Sequence, residues 1–139
     1  MRFFSKTKDG GPNSPVDAYF LFEIKWLGSI ALLKFNKGGR GAFHTHAFNA
    51  LTWFIRGDII EQTLETEPGA AIMSYSRRAY VRSFLPKFTP RTQCHRVFAH
   101  KASWVFTIRG PWAKRWTEVT PEGKLTTFEH GRKIVGGTA

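Results

Sequence analysis

Two histidines separated by one residue, in Phe43-His44-Thr45-His46, are the side chains of this sequence best suited to chemistry. In an extended strand, residues two apart point to one face, about 6.6 Å apart along it. Two imidazoles so placed can grip one metal ion from the same side, and a third donor must come from elsewhere in the fold. Structural or surface histidines would give the same spacing. The other histidines are His95, His100 and His130. His100 and His130 have no spacing partner and read as ordinary surface or core residues.

The elements that must position these groups read as short strands and turns. Residues 1–16 carry Asp9-Gly10-Gly11-Pro12-Asn13-Ser14-Pro15, turn chemistry that predicts an N-terminal arm or loop. Strands are expected over Tyr19–Leu27 and Ile30–Phe35, with Gly28-Ser29 as a hairpin turn between them. Gly38-Gly39-Arg40-Gly41 reads as a turn, and Ala42–His46 and Leu51–Ile55 as strands. Gly57-Asp58 turns the chain into a strand over Ile59–Leu64, which Pro68-Gly69 ends. Ala79–Phe84, Arg96–Ala99 and Ser103–Arg109 follow as strands, with a loop marked by Pro86 and Pro90. Trp116–Val119 and Leu125–Phe128 form a hairpin around Pro121-Glu122-Gly123, and residues 136–139 are a tail. No segment sustains a 3.6-residue period, so helices are few, and residues 17–135 read as one sandwich, barrel or jelly roll.

Gly38-Gly39-Arg40-Gly41-Ala42-Phe43 leads into His44-Thr45-His46, Gly57 follows His46 by 11 positions, and Pro90-Arg91-Thr92-Gln93-Cys94-His95 comes later. This arrangement resembles the two motifs of the cupin superfamily. His44, His46 and Gly57 match the first motif. Pro90 and His95 match the second, with Thr92 where the family usually has Gly. The resemblance covers roughly residues 36 to 110. It implies an all-β cupin, a jelly-roll double-stranded β-helix barrel with few or no helices, and a metal held by His44, His46 and His95. The glutamate usual in the first motif would fall near Ala50 or Leu51, and neither can bind a metal. In this the chain is similar to the thiol dioxygenases, cupins that set three histidines around ferrous iron. One divalent ion is therefore implied, with Fe(II) favoured, while Ni, Mn and Zn suit the same donors. Three neutral imidazoles leave the ionic charge uncompensated, which favours a small anionic substrate. The segments Phe3–Pro12, Phe43–Trp53 and Ser103–Trp112 also look like small cupin-like proteins carried in bacteriophage genomes. That likeness implies a viral setting, host cytoplasm or virion, and no particular reaction.

Other polar groups could serve such a site. Asn49, where the chain bends after His46, could orient a ligand or bound water, or cap its own loop. Glu61 could point inward as a fourth ligand or a base, or be a surface carboxylate. Arg109 could hold a substrate anion, and with Trp112 and Trp116 could form a binding lip. Packing is the competing role. Cys94 faces away from its neighbour His95 and reads as a buried apolar thiol.

The chain has 139 residues, 42% hydrophobic and 15% aromatic, enough for one packed core. One cysteine excludes an internal disulfide. The start, Met1-Arg2-Phe3-Phe4-Ser5-Lys6, lacks the apolar stretch of a signal peptide. The longest clean apolar run, Trp26–Leu33, falls short of the ~20 residues of a membrane helix. A cytoplasmic protein with no membrane contact is expected. The net charge is +11, with the densest stretch at Arg77, Arg78, Arg82, Lys87, Arg91 and Arg96. Such a surface suits nucleic acid, acidic protein or small anions. Two roles follow: a metal enzyme of the dioxygenase kind, or a non-catalytic scaffold such as a virion component that binds nucleic acid or host protein. A homodimer that covers an exposed sheet is also expected.

Overall fold

The computed structural model describes residues 1–39, 41–67, 72, 74–120, 122–129 and 133–137. Its strands are β1 (Arg2–Lys8), β2 (Val16–Ile24), β3 (Gly28–Phe35), β4 (Gly38–Gly39), β5 (Phe43–His44), β6 (Ala50–Arg56) and β7 (Ile59–Leu64). They continue with β8 (Tyr75–Tyr80), β9 (Lys87–Thr89), β10 (His95–Ala99), β11 (Ser103–Arg109), β12 (Arg115–Val119), β13 (Leu125–Glu129) and β14 (Lys133–Gly137). The expected all-β jelly roll is what forms, and there is no helix among the described residues.

The strands make two antiparallel sheets. The first runs β1-β2-β3-β11-β6-β9. The second runs β14-β13-β12-β5-β10-β7-β8, with β4 added beside β10. Alternation decides which side chains enter the barrel. In β11, Ser103, Val105, Thr107 and Arg109 are buried, while Trp104, Phe106 and Ile108 point out. A one-residue slip would exchange the two sets, so the buried face fixes the register. The main core joins Val16, Ala18, Phe20, Ala31, Leu33, Phe54, Ile59, Ala99 and Val105. Burying each larger side chain stabilises the fold by about 1.5–3 kcal/mol. A smaller cluster of Phe43, Leu64, Cys94 and Val119 lies under the β12–β13 hairpin.

Gly57 turns β6 into β7 with φ +133°. A Cβ there would collide with the side chain and backbone of Ser103. Ser103 Oγ accepts the Asp58 N–H at 3.0 Å, so the turn is pressed onto β11 by a contact that only glycine allows.

Several sequence expectations need correction. The N-terminal arm is in part a strand: β1 pairs with β2 from Arg2↔Glu23 to Lys8↔Asp17. It is mostly exposed, so no buried face marked it. The first hairpin turns earlier than Gly28-Ser29, because Ile24 already pairs with Gly28. Gly28 is needed inside β3, where a Cβ would stand 2.5 Å from the Arg109 carbonyl oxygen. Gly38-Gly39 is not part of a turn but pairs with Phe98 and Ala99. The strand expected over Ala42–His46 is only Phe43–His44. That expected over Ala79–Phe84 ends at Tyr80, and β9 forms between the two prolines where a loop was expected. Gly136 and Gly137 belong to β14, not to a tail. Arg40, Pro68-Gly69, Pro121, His130 and the last two residues lie outside the described residues.

Candidate metal centre

His44 and His95 face each other as a register pair between β5 and β10. Both are buried, at 8% and 6% exposure. His46 lies just past the end of β5, where its N–H donates to the Arg91 carbonyl at 3.3 Å. The segment is pinned by Thr45. Its N–H donates to the Thr117 carbonyl at 2.9 Å, and its hydroxyl accepts the Thr117 N–H at 2.9 Å. Asn49 acts at one remove: its Oδ1 accepts the Arg91 N–H at 2.8 Å. It thereby fixes the residue whose carbonyl receives His46, and it bonds neither its own backbone nor the histidine rings.

The three imidazoles close into a triangle. Ring centroids lie 4.9 Å apart for His44–His46, 5.1 Å for His44–His95 and 4.9 Å for His46–His95. One ligand nitrogen from each comes within 4.8 Å of the others. Three imidazoles bound to one ion at ~2.1 Å in tetrahedral geometry would hold their nitrogens ~3.4 Å apart, inside that limit.

Glu61 is inside the barrel, as one of its two sequence readings anticipated. Its Oε2 accepts a hydrogen bond from His95 Nδ1–H at 2.6 Å. That bond directs His95 Nε2 toward the other histidines and raises the ring's basicity. Lys87 Nζ lies 3.1 Å from the same oxygen, and the Tyr80 hydroxyl donates to Oε1 at 3.2 Å. Burial pushes the Glu61 carboxyl up, but the hydrogen bond and charge of His95, with those of Lys87, outweigh it and hold the group below its usual range. Burial, with the Glu61 charge, pushes Tyr80 up to about 12. Glu61 is not among the grouped ligand atoms. It carries negative charge to the back of His95.

The histidines stand where two spaces meet. A cavity of about 120 Å³ lies inside the barrel, walled by apolar residues such as Leu33, Phe54 and Val105. A cleft of about 590 Å³ opens outward past Phe48, Trp112 and Trp116. His44, His46, Phe48 and Asp9 border both. The two tryptophans thus form a rim, each also packed: Trp112 5.7 Å from Phe48, and Trp116 stacked on Phe128 at 4.5 Å. Arg109 is buried at 6% and makes a paired contact with Asp9, Nη1 to Oδ1 at 3.1 Å and Nη2 to Oδ2 at 2.7 Å. Its guanidinium lies 4.6 Å from the Phe48 ring, which stacks on His46 at 5.2 Å. An anion reaching Arg109 must compete with Asp9.

Cys94 is buried, and burial pushes its thiol up to about 11, as expected of an inert apolar cysteine. His100 is exposed and meets Phe98 edge-on at 5.2 Å. Sequence reasoning missed Asp9, Tyr80 and Lys87. Lys87 sits between prolines and Asp9 in a turn segment, so neither carried a strand alternation that would point it inward.

No protein-family model matches the sequence, and no curated protein matches it. Solved structures do. A cupin-superfamily sugar phosphate isomerase from Silicibacter pomeroyi DSS-3 aligns with TM-score 0.60 and 10% identity over 97% of this chain and 87% of that one. KdgF from Halomonas sp. aligns with TM-score 0.55 and 17% identity over 79% and 94%. The Fe(II) form of HppE aligns with TM-score 0.58 and 11% identity over 76% of this chain, which spans 55% of that protein. The chain therefore has the cupin fold. Within it stands a three-histidine group able to hold a metal ion. The described residues include no helix long and apolar enough to cross a membrane.

Proposed function

We propose that this chain is a metal-dependent enzyme of the non-haem iron oxygenase type, acting on a small anionic substrate. The observation that carries the reading is the convergence of His44, His46 and His95 at the junction of cleft and cavity, with Glu61 bonded behind His95. Fe(II) is favoured among divalent ions, with Ni, Mn and Zn as alternatives on the same donors. A bound ferrous ion would supply Lewis acidity toward the anion and one-electron chemistry with dioxygen. The chain's own residues do the rest. Phe48, Trp112 and Trp116 border the approach, the apolar wall excludes water, and Glu61 with Lys87 holds His95 in one tautomer. HppE, a structural neighbour, is known in an Fe(II) form. The segment likeness to phage-borne cupin-like proteins supports a viral setting, in the host cytoplasm or the virion.

The test is dioxygen uptake by anaerobically Fe(II)-loaded protein against a panel of small carboxylates, phosphonates and thiols. Uptake that depends on one of them and is absent in His46→Ala supports the proposal. No substrate-dependent uptake with any member, in protein that holds stoichiometric iron, sinks the oxygenase reading.

A further inference from the structure

The outer face of the second sheet carries a cleft of about 360 Å³ that is separate in chemistry from the histidine group. In β10, His95 points into the barrel, so Arg96 and Phe98 occupy alternating positions relative to it, and strand pairing orders their neighbours in rows. One row runs Arg77, Gln62 and Arg96 across β8, β7 and β10, and the next runs Ala79, Ile60 and Phe98. Phe98 is a large aromatic left 44% exposed, and exposed His100 meets its ring edge-on. Gly39 borders the same cleft. A Cβ there would stand 3.3 Å from Phe98 Cδ2, so glycine keeps the edge of that ring uncrowded.

The electrostatics are one-sided. No residue lining the cleft is acidic. Neither Arg77 nor Arg96 belongs to an ion pair among the described residues. Arg96 is held in place: its Nη1 donates to the Gly41 carbonyl at 3.1 Å, and its guanidinium lies 4.5 Å from the Phe43 ring. Arg77 is exposed. A fixed guanidinium, an exposed one and an open aromatic face make a surface for a phosphate chain with a stacking base. An acidic protein would use the charges but has no need of the ring. A base free to stack on the ring must be unpaired, which a duplex does not offer. The net charge of +11 adds long-range attraction for the same polyanion.

We infer that this cleft binds single-stranded nucleic acid, with Arg77 and Arg96 on phosphates and Phe98 under a base. The site is independent of the proposed metal chemistry.

The experiment is fluorescence anisotropy with a fluorescein-labelled thymidine 12-mer, on full-length protein, between 50 and 200 mM salt. Arg77→Glu and Phe98→Ala should each weaken binding about tenfold or more, as loss of a stacked base alone costs roughly 1–3 kcal/mol. Phe98→Leu should weaken it as Phe98→Ala does, which separates stacking from packing. Lys124→Glu, the same charge change at an exposed position away from the cleft, should shift binding less than threefold. Unchanged melting temperature and metal content in each variant would exclude misfolding. Equal losses from Arg77→Glu and Lys124→Glu would overturn the inference, since general charge alone would then explain binding. So would an unaffected Phe98→Ala, competition by poly-glutamate as strong as by unlabelled oligonucleotide, or no binding by the unaltered protein.

Discussion

Glu61 Oε2 lies 2.6 Å from His95 Nδ1, and the same oxygen lies 3.1 Å from Lys87 Nζ. A histidine backed by a carboxylate in this way is a better metal ligand than a bare one, and loss of such a partner usually costs 10–100-fold in metal affinity. Glu61→Gln keeps the shape, removes the charge and strands Lys87. Metal titration of the apo-protein should show weakening of about that size with the fold retained. Unaltered affinity would mean that Glu61 has no part in the site.

The same pair predicts an acid limb in stability. Because the folded-state carboxyl sits below its usual 4.5, its contribution is fully present above that pH and is lost as pH falls through the lower folded value. Urea unfolding of the metal-free protein between pH 3 and 7 should therefore steepen below about pH 4.5. In Glu61→Gln that steepening should shrink.

Gly57→Ala should be severely destabilising, by roughly 2–4 kcal/mol, because it adds both a strained φ and a collision with Ser103. Denaturant titration measures it. A loss under ~0.5 kcal/mol would show that the β6–β7 turn relaxes freely.

Cys94 should resist thiol reagents in the native state. With its thiol pushed up to about 11 and its side chain buried, labelling at pH 8 should be slow in buffer and fast in urea. Rapid native labelling would place this segment outside the core.

The first sheet's outer face bears an uncharged row across all six strands, Phe3-Phe22-Ile30-Ile108-Leu51-Phe88. Phe3 and Phe88 are 56% and 58% exposed. The row spans about 24 Å at ordinary strand spacing. Two copies meeting along this row would cover its apolar side chains, with Lys6 and Lys34, laid over Tyr19 and Trp104, left at its flank, so a second copy is the proposed occupant. Light scattering should give a dimer, and Ile108→Arg a monomer. A monomeric native protein would reject the proposal.

The sequence showed the barrel and two of the ligands because both depend on local pattern. Runs bounded by turn residues marked Ile59–Leu64 and Ser103–Arg109 with the ends that the structure has. His-x-His is visible without a fold, whereas His95 entered through the family resemblance. What stayed hidden depends on pairing between distant segments. β1 and β9 bury too little to alternate, and β4 is two glycines that pair with β10 through backbone alone. The Asp9–Arg109 contact joins residues 100 apart in sequence, and no local signal marks it.

His44, His46 and His95 are proposed to hold one metal ion. Elemental analysis by inductively coupled plasma mass spectrometry tests it most directly, on untagged protein purified without chelator and on His46→Ala beside it. Near one equivalent of iron, nickel, manganese or zinc is expected in the native protein, and its loss in the variant. No stoichiometric metal in the native protein, or an equal content in both, would contradict it.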